Sequence, residues 1–274
     1  AQALLVQAYL RCPYSVCVSA RCIHALRMRL DGPPAMAPSS APRASQGDGA
    51  LHASGDGEGA PASPSALMGR IPMTTREAAR LYGNWAPTYD EDLRAWGYRT
   101  PERLAALALE RGAGSAERVL DLGCGTGLAG AALRSAGARG QLHGLDVTPA
   151  MLSAARDAGL YAELREGRMD QRLPWASASF GAVVAAGALG YVEDFATLFE
   201  EMCRVCMPGA CCVWSIRACA WDADERGCRS AALSLEERRL WRNLDVSGEE
   251  VYLPAHPSSA ERVKTIRLIC FRVE

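Results

Sequence analysis

Hydrophobic residues from Met73 onward fall into short continuous runs that alternate with longer stretches of helical pattern. A run of a few apolar residues between turn-forming residues is typical of a strand buried on both faces of a sheet. This pattern predicts strands at Arg118–Leu122, Gln141–Asp146, Tyr161–Glu166, Phe180–Ala185, Ala210–Ile216, Val251–Pro254 and Val263–Val273.

Helix start signals lie between these runs. Thr74-x-x-Glu77 has the capping-box pattern and predicts a helix towards Tyr82, because its two side chains can satisfy free N–H groups of the first turn. Further helices are predicted at Thr100–Glu110, Leu128–Ser135, after a cap at Thr148 with Pro149 in first position, at Phe195–Cys206 and from Ser234-x-x-Glu237 onward. Strands alternating with helices of this length predict βαβ units, and therefore an α/β fold with a doubly wound, mostly parallel sheet.

The first 72 residues have a different composition. From Asp31 to about Arg70 the chain is rich in Gly, Ala, Pro and Ser, and this segment cannot bury enough apolar surface to become ordered. Residues 1–30 contain arginines and no acidic residue, which fits either an organelle transit peptide or a start site assigned too far upstream. The sequence therefore predicts a disordered tail at 1–72 and one folded domain at 73–274.

The charge and composition of the 274-residue chain exclude some classes of function. Its 30 basic and 31 acidic residues give a net charge of −1, so nucleic-acid binding through a broad basic field is disfavoured. The longest apolar run, Ala182 to Val192, is shorter than the roughly 18 residues of a membrane span. The 11 cysteines are scattered without metal-ligand spacing, so we expect reduced thiols, no metal site and a cytoplasmic or organelle-matrix location.

A glycine-rich turn follows the first predicted strand. Gly123, Gly125 and Gly127 lie between a strand and a helix, where a backbone without side chains can approach a ligand closely. Gly125 to Gly130 also has the dinucleotide pattern G-x-G-x-x-G, with Asp146 about 20 residues beyond it. Asp121 at the mouth of the turn would repel a pyrophosphate and favour a ligand with an ammonium and a sulfonium, as in S-adenosylmethionine.

Five segments in order resemble the motifs of the class I S-adenosylmethionine-dependent methyltransferases with a type 11/25-like domain. They are Val119 to Gly127, Leu145 to Leu152, Asp170 to Trp175, Phe180 to Val184 and Arg204 to Ala210. In addition, the segment Tyr82-x-x-Trp85-Ala86-Pro87-x-Tyr89-Asp90 is similar to one found in several small-molecule methyltransferases. The resemblance implies a Rossmann-like fold whose seven-stranded sheet has an antiparallel last strand.

The resemblance also implies a role for each matching residue. The glycines would pass under the methionine part of S-adenosylmethionine, Asp121 and the carbonyl of Ala186 would lie near its ammonium, and Asp146 would hold its ribose. The remaining cofactor-binding residues by this resemblance are Val147 and Met151 beside the adenine, Asp170 and Gln171 at its edge, and Tyr82 and Tyr89 in a helix that covers the cofactor.

The acceptor of the methyl group is not specified by any motif. We expect a small molecule, a direct displacement reaction, and a monomer or weak dimer. His256 and Tyr191 are the candidates for acid–base work, whereas His143 lies inside a predicted strand and is expected to pack in the core. Two alternatives remain open at this point: an NAD(P)-dependent oxidoreductase, and a protein that binds S-adenosylmethionine without catalysis.

Overall fold

The computed structural model describes residues 74–274. The predicted disordered tail, transit peptide and alternative start at 1–72 lie outside these residues. The strands are β1 (Arg118–Leu122), β2 (Gln141–Asp146), β3 (Glu163–Glu166), β4 (Phe180–Ala185), β5 (Cys206–Arg217), β6 (Trp241–Val246), β7 (Glu250–Val251) and β8 (Thr265–Val273).

One sheet contains all of these strands, in the order β3-β2-β1-β4-β5-β8-β6, with the two-residue β7 also paired to β8. Strands β1 to β5 run parallel, and β8 is antiparallel to β5 and β6. The predicted fold class, a doubly wound and mostly parallel sheet whose last strand is antiparallel, is therefore confirmed, and the sheet has eight strands, one more than the seven predicted. The strand order reverses between β1 and β4, and open sheets of this kind bind ligands at such a reversal.

The helices cover both faces of the sheet. They are α1 (Thr75–Trp85), α2 (Tyr89–Ala95), α3 (Thr100–Glu110), α4 (Leu128–Ala136), α5 (Pro149–Asp157), α6 (Phe195–Val205), α7 (Ala218–Ala223), α8 (Cys228–Glu237) and α9 (Ser259–Arg262). The predicted capping box is present in α1, where the Glu77 N–H donates to Thr74 Oγ1 (3.2 Å) and the Thr74 N–H donates to Glu77 Oε2 (2.9 Å). Among residues 74–274, no helix is long and apolar enough to cross a membrane.

Several local predictions were wrong or incomplete. Helix α8 begins at Cys228 and not after Ser234, because Asp224 accepts hydrogen bonds from the N–H groups of Arg229 and Ser230 and so caps the helix earlier. Helix α2 and strand β6 were not predicted, since their sequences show neither a clear cap nor an apolar run, and the short helices α7 and α9 were not predicted either. The strand predicted at Val251–Pro254 is only the two-residue β7. Thr148 precedes α5 as expected, but its side chain makes no capping hydrogen bond.

The core has two layers, one on each face of the sheet, because neighbouring positions on a strand point to opposite faces. Val213 belongs to the layer that also contains Leu104 of α3, whereas Trp214 packs against Phe199, Trp241 and Phe271 on the other face. Both layers stop at the carboxyl ends of the parallel strands, where a cavity opens.

Candidate functional site

A cavity lies at the carboxyl ends of β1, β2 and β4, beneath α1. Its empty volume is about 720 Å³, including its open mouth. It is lined by Thr75, Ala78, Tyr82, Tyr89, Gly123, Gly125, Asp146, Val147, Thr148, Met151, Gly167, Arg168, Met169, Asp170, Ala186, Gly187, Ala188, Tyr191 and Val192.

The glycine turn after β1 is held against the end of β2. The Gly123 N–H donates to the carbonyl of Leu145 (2.7 Å), and the Gly125 N–H donates to Asp146 Oδ2 (2.9 Å). Gly125 has a φ of +54°, and a Cβ built on it would meet no atom within 4 Å. The turn therefore presents bare backbone to the cavity at a position that favours glycine.

Asp146 closes the other side of this turn. Its Oδ1 accepts from the Thr148 N–H (2.8 Å), so the carboxylate bridges the glycine turn and the start of α5. Burial raises the pKa of Asp146 above its usual value, while these backbone hydrogen bonds oppose the shift. The carboxylate is thus fixed in direction before any ligand binds, with acceptor capacity left over.

Asp121, the other acid of the first motif, lies behind the cavity and not in its wall. Only 1% of the residue is exposed, its Oδ2 accepts from the Tyr161 hydroxyl (2.6 Å), and its Oδ1 has no hydrogen-bond partner. Burial raises the pKa of Asp121 to about 7. A buried carboxylate oxygen without a partner is costly, so it is a candidate acceptor for a ligand or a bound water.

The third glycine of the dinucleotide pattern has a packing role. A Cβ on Gly130 would lie 2.5 Å from the Tyr161 hydroxyl, and one on Gly127 would lie 3.2 Å from the same ring. Gly127 is the N-cap residue of α4 and has a φ of +101°, a conformation that favours glycine. Both glycines therefore make room for Tyr161, which leaves no space here for a close approach of a ligand to Gly130.

Aromatic side chains of α1 and α2 cover the cavity. The rings of Tyr82 and Trp85 stack at 5.9 Å, Tyr89 meets Trp85 edge-on at 4.7 Å, and the hydroxyls of Tyr82 and Tyr191 lie 2.9 Å apart. The segment Tyr82 to Asp90, conspicuous in the sequence, thus forms one stacked cluster. Asp90 ties this cluster to the glycine turn by accepting from Thr126 Oγ1 (2.6 Å).

Ion pairs join the start of α1 to the loops after β3 and β4. Arg168 donates from Nε and Nη2 to the two oxygens of Asp170 (both 2.9 Å), and its Nη2 lies 3.2 Å from a Glu193 carboxylate oxygen. Glu193 in turn accepts from the N–H (3.1 Å) and hydroxyl (2.8 Å) of Thr75. The Thr75 N–H and the Arg168 guanidinium lower the pKa of Glu193 to about 2, so this acid stays charged at neutral pH.

The structure brings ten of the fourteen site residues named from the sequence into the cavity wall. They are Tyr82, Tyr89, Gly123, Gly125, Asp146, Val147, Met151, Asp170, Ala186 and Tyr191. Asp121, Gly127, Gln171 and His256 do not line it. Gln171 is an exposed residue.

His256 is wholly buried and does not line the cavity. Its ring packs on Trp96 at 4.3 Å, its Nδ1 accepts from the Ser258 N–H (3.0 Å), and burial lowers its pKa. His143 is a packed core residue as predicted, only 5% exposed and hydrogen-bonded to Glu163 (3.0 Å). Neither histidine of the described chain therefore reaches the cavity.

Sequence reasoning missed some residues of the site. Thr75, Arg168, Gly187 and Val192 line the cavity, and Tyr161 supports Asp121, yet none of them belongs to a pattern with recognisable chemistry. Their positions come from contacts between segments far apart in the chain. Within residues 74–274, no group of three or more His, Cys, Asp or Glu side chains is placed to hold a metal ion.

Comparisons with known proteins find methyltransferases. A family model for a methyltransferase domain matches residues 119–209. Methyltransferase-like protein 27 of Homo sapiens is 35% identical over 169 residues, which are 60% of this chain and 68% of that protein. A demethylmenaquinone methyltransferase of Chlorobaculum parvum is 34% identical over 148 residues, 52% of this chain and 60% of that enzyme.

A solved structure shows the same fold. It is a SAM-dependent methyltransferase, possible histamine N-methyltransferase, from Thermotoga maritima, with a TM-score of 0.51 and 13% identity over 70% of this chain and 98% of that chain. At this identity the likeness concerns the fold alone. The chain spans about two thirds of the length of its human relative and less of the bacterial enzyme.

Proposed function

Since the chain belongs to the class I S-adenosylmethionine-dependent methyltransferases, we propose that it methylates a small-molecule acceptor in the cavity under α1. S-adenosylmethionine is the cofactor of this family. The observation that carries the proposal is the cavity itself, which joins the glycine turn, the fixed carboxylate of Asp146 and an aromatic cover at one end of the sheet.

The residues at the cavity fit this cofactor. S-adenosylmethionine carries two positive groups and a ribose with two hydroxyls. Its site therefore needs carboxylates for these groups and a backbone that the ligand can approach closely. The open space beside Gly125 suits a ligand that presses against the turn. Asp121 lies behind the wall, so its negative charge would act on a positive group of the ligand through the backbone of the turn or a bound water and not by direct contact. The one arginine in the lining, Arg168, is already neutralised by Asp170 and Glu193.

We assign roles to the lining residues accordingly. Gly123 and Gly125 pass under the methionine part, the Ala186 carbonyl meets its ammonium, and Asp146 holds the ribose hydroxyls. Val147 and Met151 flank the adenine, and Tyr82 and Tyr89 cover the cofactor. Asp170 lies at the edge of the adenine, where its hydrogen bonds with Arg168 hold the loop after β3 in place. Gly127 and Gln171 are left out of the contact set, because neither lines the cavity.

The chain's contribution to the reaction is positioning. The bound cofactor supplies a methyl group already activated by the positive sulfur, so the protein need not build a nucleophile. Holding an acceptor in line at about 3 Å, with water excluded, can supply roughly 7–11 kcal/mol of the barrier. Tyr82, Tyr89 and Tyr191 perform this exclusion with their rings on the α1 side of the cavity.

Tyr191 orients the acceptor as a neutral hydroxyl. Burial raises its pKa above the ordinary value of 10, and its hydroxyl already shares a hydrogen bond with Tyr82. His256 takes no part as a base, because it is buried against Trp96 outside the cavity. The acceptor group must therefore lose its proton to solvent or be nucleophilic as it stands.

The alternatives are less well supported. An NAD(P)-dependent oxidoreductase is less well supported because the matching family model and the 35% identical human relative are both methyltransferases. The packing of Tyr161 on Gly130 does not separate the two hypotheses, since the last glycine of the dinucleotide pattern also serves packing. A protein that binds the cofactor without catalysis is less well supported because the similar proteins are methyltransferases. The near-neutral charge, −1 in total, favours a small acceptor over nucleic acid.

The setting of the protein is part of the proposal. All eight cysteines among the described residues are free, which suits a reducing compartment such as the cytoplasm or an organelle matrix. We propose a monomer or weak dimer, because the cavity is built from one chain and needs no residue of a second copy.

The test is a methyl-transfer assay with tritiated S-adenosylmethionine over fractions of a cell extract. Label in a small-molecule fraction supports the proposal, and label only in protein or nucleic acid overturns the acceptor class. Calorimetry with S-adenosylhomocysteine tests the cofactor separately. Stabilisation by NADH in place of S-adenosylhomocysteine would favour the oxidoreductase.

A further inference from the structure

Tyr161 lies outside the cavity wall but touches the acid of the first motif. We propose that Tyr161 is a positioning residue for cofactor binding, which orients the Asp121 carboxyl group by a hydrogen bond to Oδ2 and favours its ionised form, and that Gly127 and Gly130 admit its ring for this purpose. The inference rests on the proposed cofactor site.

The contact is specific in its geometry. The Tyr161 hydroxyl donates to Asp121 Oδ2 at 2.6 Å, across 40 positions of the chain, which is the length of a strong hydrogen bond to a carboxylate. The other oxygen, Oδ1, is buried and has no partner. With one oxygen held, the free one keeps a single direction, and the carboxylate needs no rearrangement when a positive group arrives.

This contact requires glycine at two neighbouring positions, Gly127 and Gly130. A Cβ at Gly130 would lie 2.5 Å from the hydroxyl oxygen and 2.7 Å from Cζ of Tyr161. Gly130 is inside α4, where glycine lowers helix stability by about 1 kcal/mol relative to alanine. A side chain at Gly130 would therefore displace the hydroxyl from Asp121, so the glycine is required for this hydrogen bond.

The groups that face Asp121 explain why it needs a donor. Asp146 and the Cys124 thiol are its other titratable neighbours, and Asp146 disfavours a second negative charge nearby. Burial acts in the same direction and raises the pKa of Asp121, while the Tyr161 hydrogen bond lowers it. Burial raises the pKa of Tyr161 as well, so this hydroxyl keeps its proton and remains the donor.

The experiment measures S-adenosylhomocysteine affinity of the full chain by calorimetry as a function of pH, for the wild type and for Tyr161→Phe. Without the donor, the Asp121 carboxyl holds its proton to a higher pH, by about one unit for one hydrogen bond to a charge. The ratio of the two dissociation constants should therefore be about tenfold below pH 7 and narrow towards about pH 9. The ligand's own amino group titrates alike in both proteins and cancels in this ratio.

Three further variants sharpen the result. Gly130→Ala displaces the hydroxyl and should reproduce the pH-dependent loss, and Asp121→Asn should abolish the part of the pH dependence that Tyr161→Phe shifts. Tyr98→Phe is the matched control, because it removes a buried tyrosine hydroxyl without touching Asp121. Carbon NMR of the Asp121 carboxyl in the ligand-free protein provides a readout independent of binding.

The outcomes separate the two proposals. If the ratio of the two dissociation constants is constant over pH, or if Asp121 titrates unchanged in Tyr161→Phe, Tyr161 only fills space and the inference is overturned. Binding of S-adenosylhomocysteine by the wild type would still support the proposed function in that case. Failure of the wild type to bind S-adenosylhomocysteine at any pH overturns both.

Discussion

The backbone N–H of Gly125 donates to the Asp146 carboxylate over 2.9 Å, so the glycine turn after β1 and the acid at the end of β2 form one unit. The two motifs are 21 positions apart in the chain and meet because β1 and β2 are parallel neighbours in register, Leu122 opposite Leu145. Asp146 consequently has two tasks. It shapes the turn from within the protein, and in the proposed site it also holds the cofactor ribose.

We expect Asp146→Ala to weaken S-adenosylhomocysteine binding by about a hundredfold, since one change removes both a ligand contact and the support of the turn. Asp146→Asn keeps one acceptor oxygen and should lose about tenfold. Calorimetry measures both. Asp157→Ala, an exposed acid at the end of the adjacent helix α5, is the control and should bind as the wild type does. Equal affinity of Asp146→Ala and the wild type would contradict the cofactor site.

Arg168→Ala should loosen α1. The change releases Asp170 and one side of Glu193, and with them the attachment of Thr75 at the start of the helix. Amide hydrogen exchange in the peptide Thr75–Trp85 should become about three- to tenfold faster, in keeping with one partly exposed ion-pair network. Arg172→Ala is matched to it, because that side chain is 76% exposed and 3.7 Å from its acid. Similar exchange in the two variants would show that Arg168 does not hold the cover.

The tyrosine hydroxyls at the cavity should remain protonated at every pH at which the protein works. Burial raises the pKa of Tyr82, Tyr89 and Tyr191 above 10. In a near-ultraviolet absorbance titration, the difference between the wild type and Tyr191→Phe should therefore show no tyrosinate signal below about pH 10. Tyr82→Phe is the control, because it removes the other hydroxyl of the Tyr82–Tyr191 hydrogen bond (2.9 Å) and leaves Tyr191 in place. Ionisation of Tyr191 near pH 8 would instead support a tyrosinate base.

Gly187→Ala should damage the fold and the site together. Gly187 has a φ of +69°, and a Cβ there would lie 2.7 Å from the Tyr98 hydroxyl and 3.3 Å from that of Tyr252. We expect a loss of about 1–3 kcal/mol in the free energy of unfolding, measured by denaturant titration. Gly190→Ala is the matched change three residues on, where a Cβ meets nothing within 4 Å, and it should stay within about 0.5 kcal/mol of the wild type. Equal stabilities would mean that the turn relaxes around Gly187.

Much of the fold was determined by the sequence itself. Strands β1, β2 and β4 have the bounds that their apolar runs predicted, and α1 begins with the predicted capping box. These features depend on neighbours a few positions away, namely runs that must be buried and side chains that satisfy the first turn of a helix. The missed strand β6 and the shortened strand β3 lie at the two edges of the sheet, where burial imposes less of a pattern. Strands β7 and β8 are shorter than predicted as well, and β8 lies inside the sheet.

The sequence by itself also placed the glycine turn and Asp146 at one edge of the sheet, because parallel strands end on the same side. Only the tertiary structure decided what each residue does there. It put Asp121 behind the wall and His256 in a separate packed region, and it filled the space at Gly130 with Tyr161. The physical reason is that a side chain's surroundings are set by residues distant in the chain, as Tyr161 is from Asp121 by 40 positions, and no local pattern encodes such a contact.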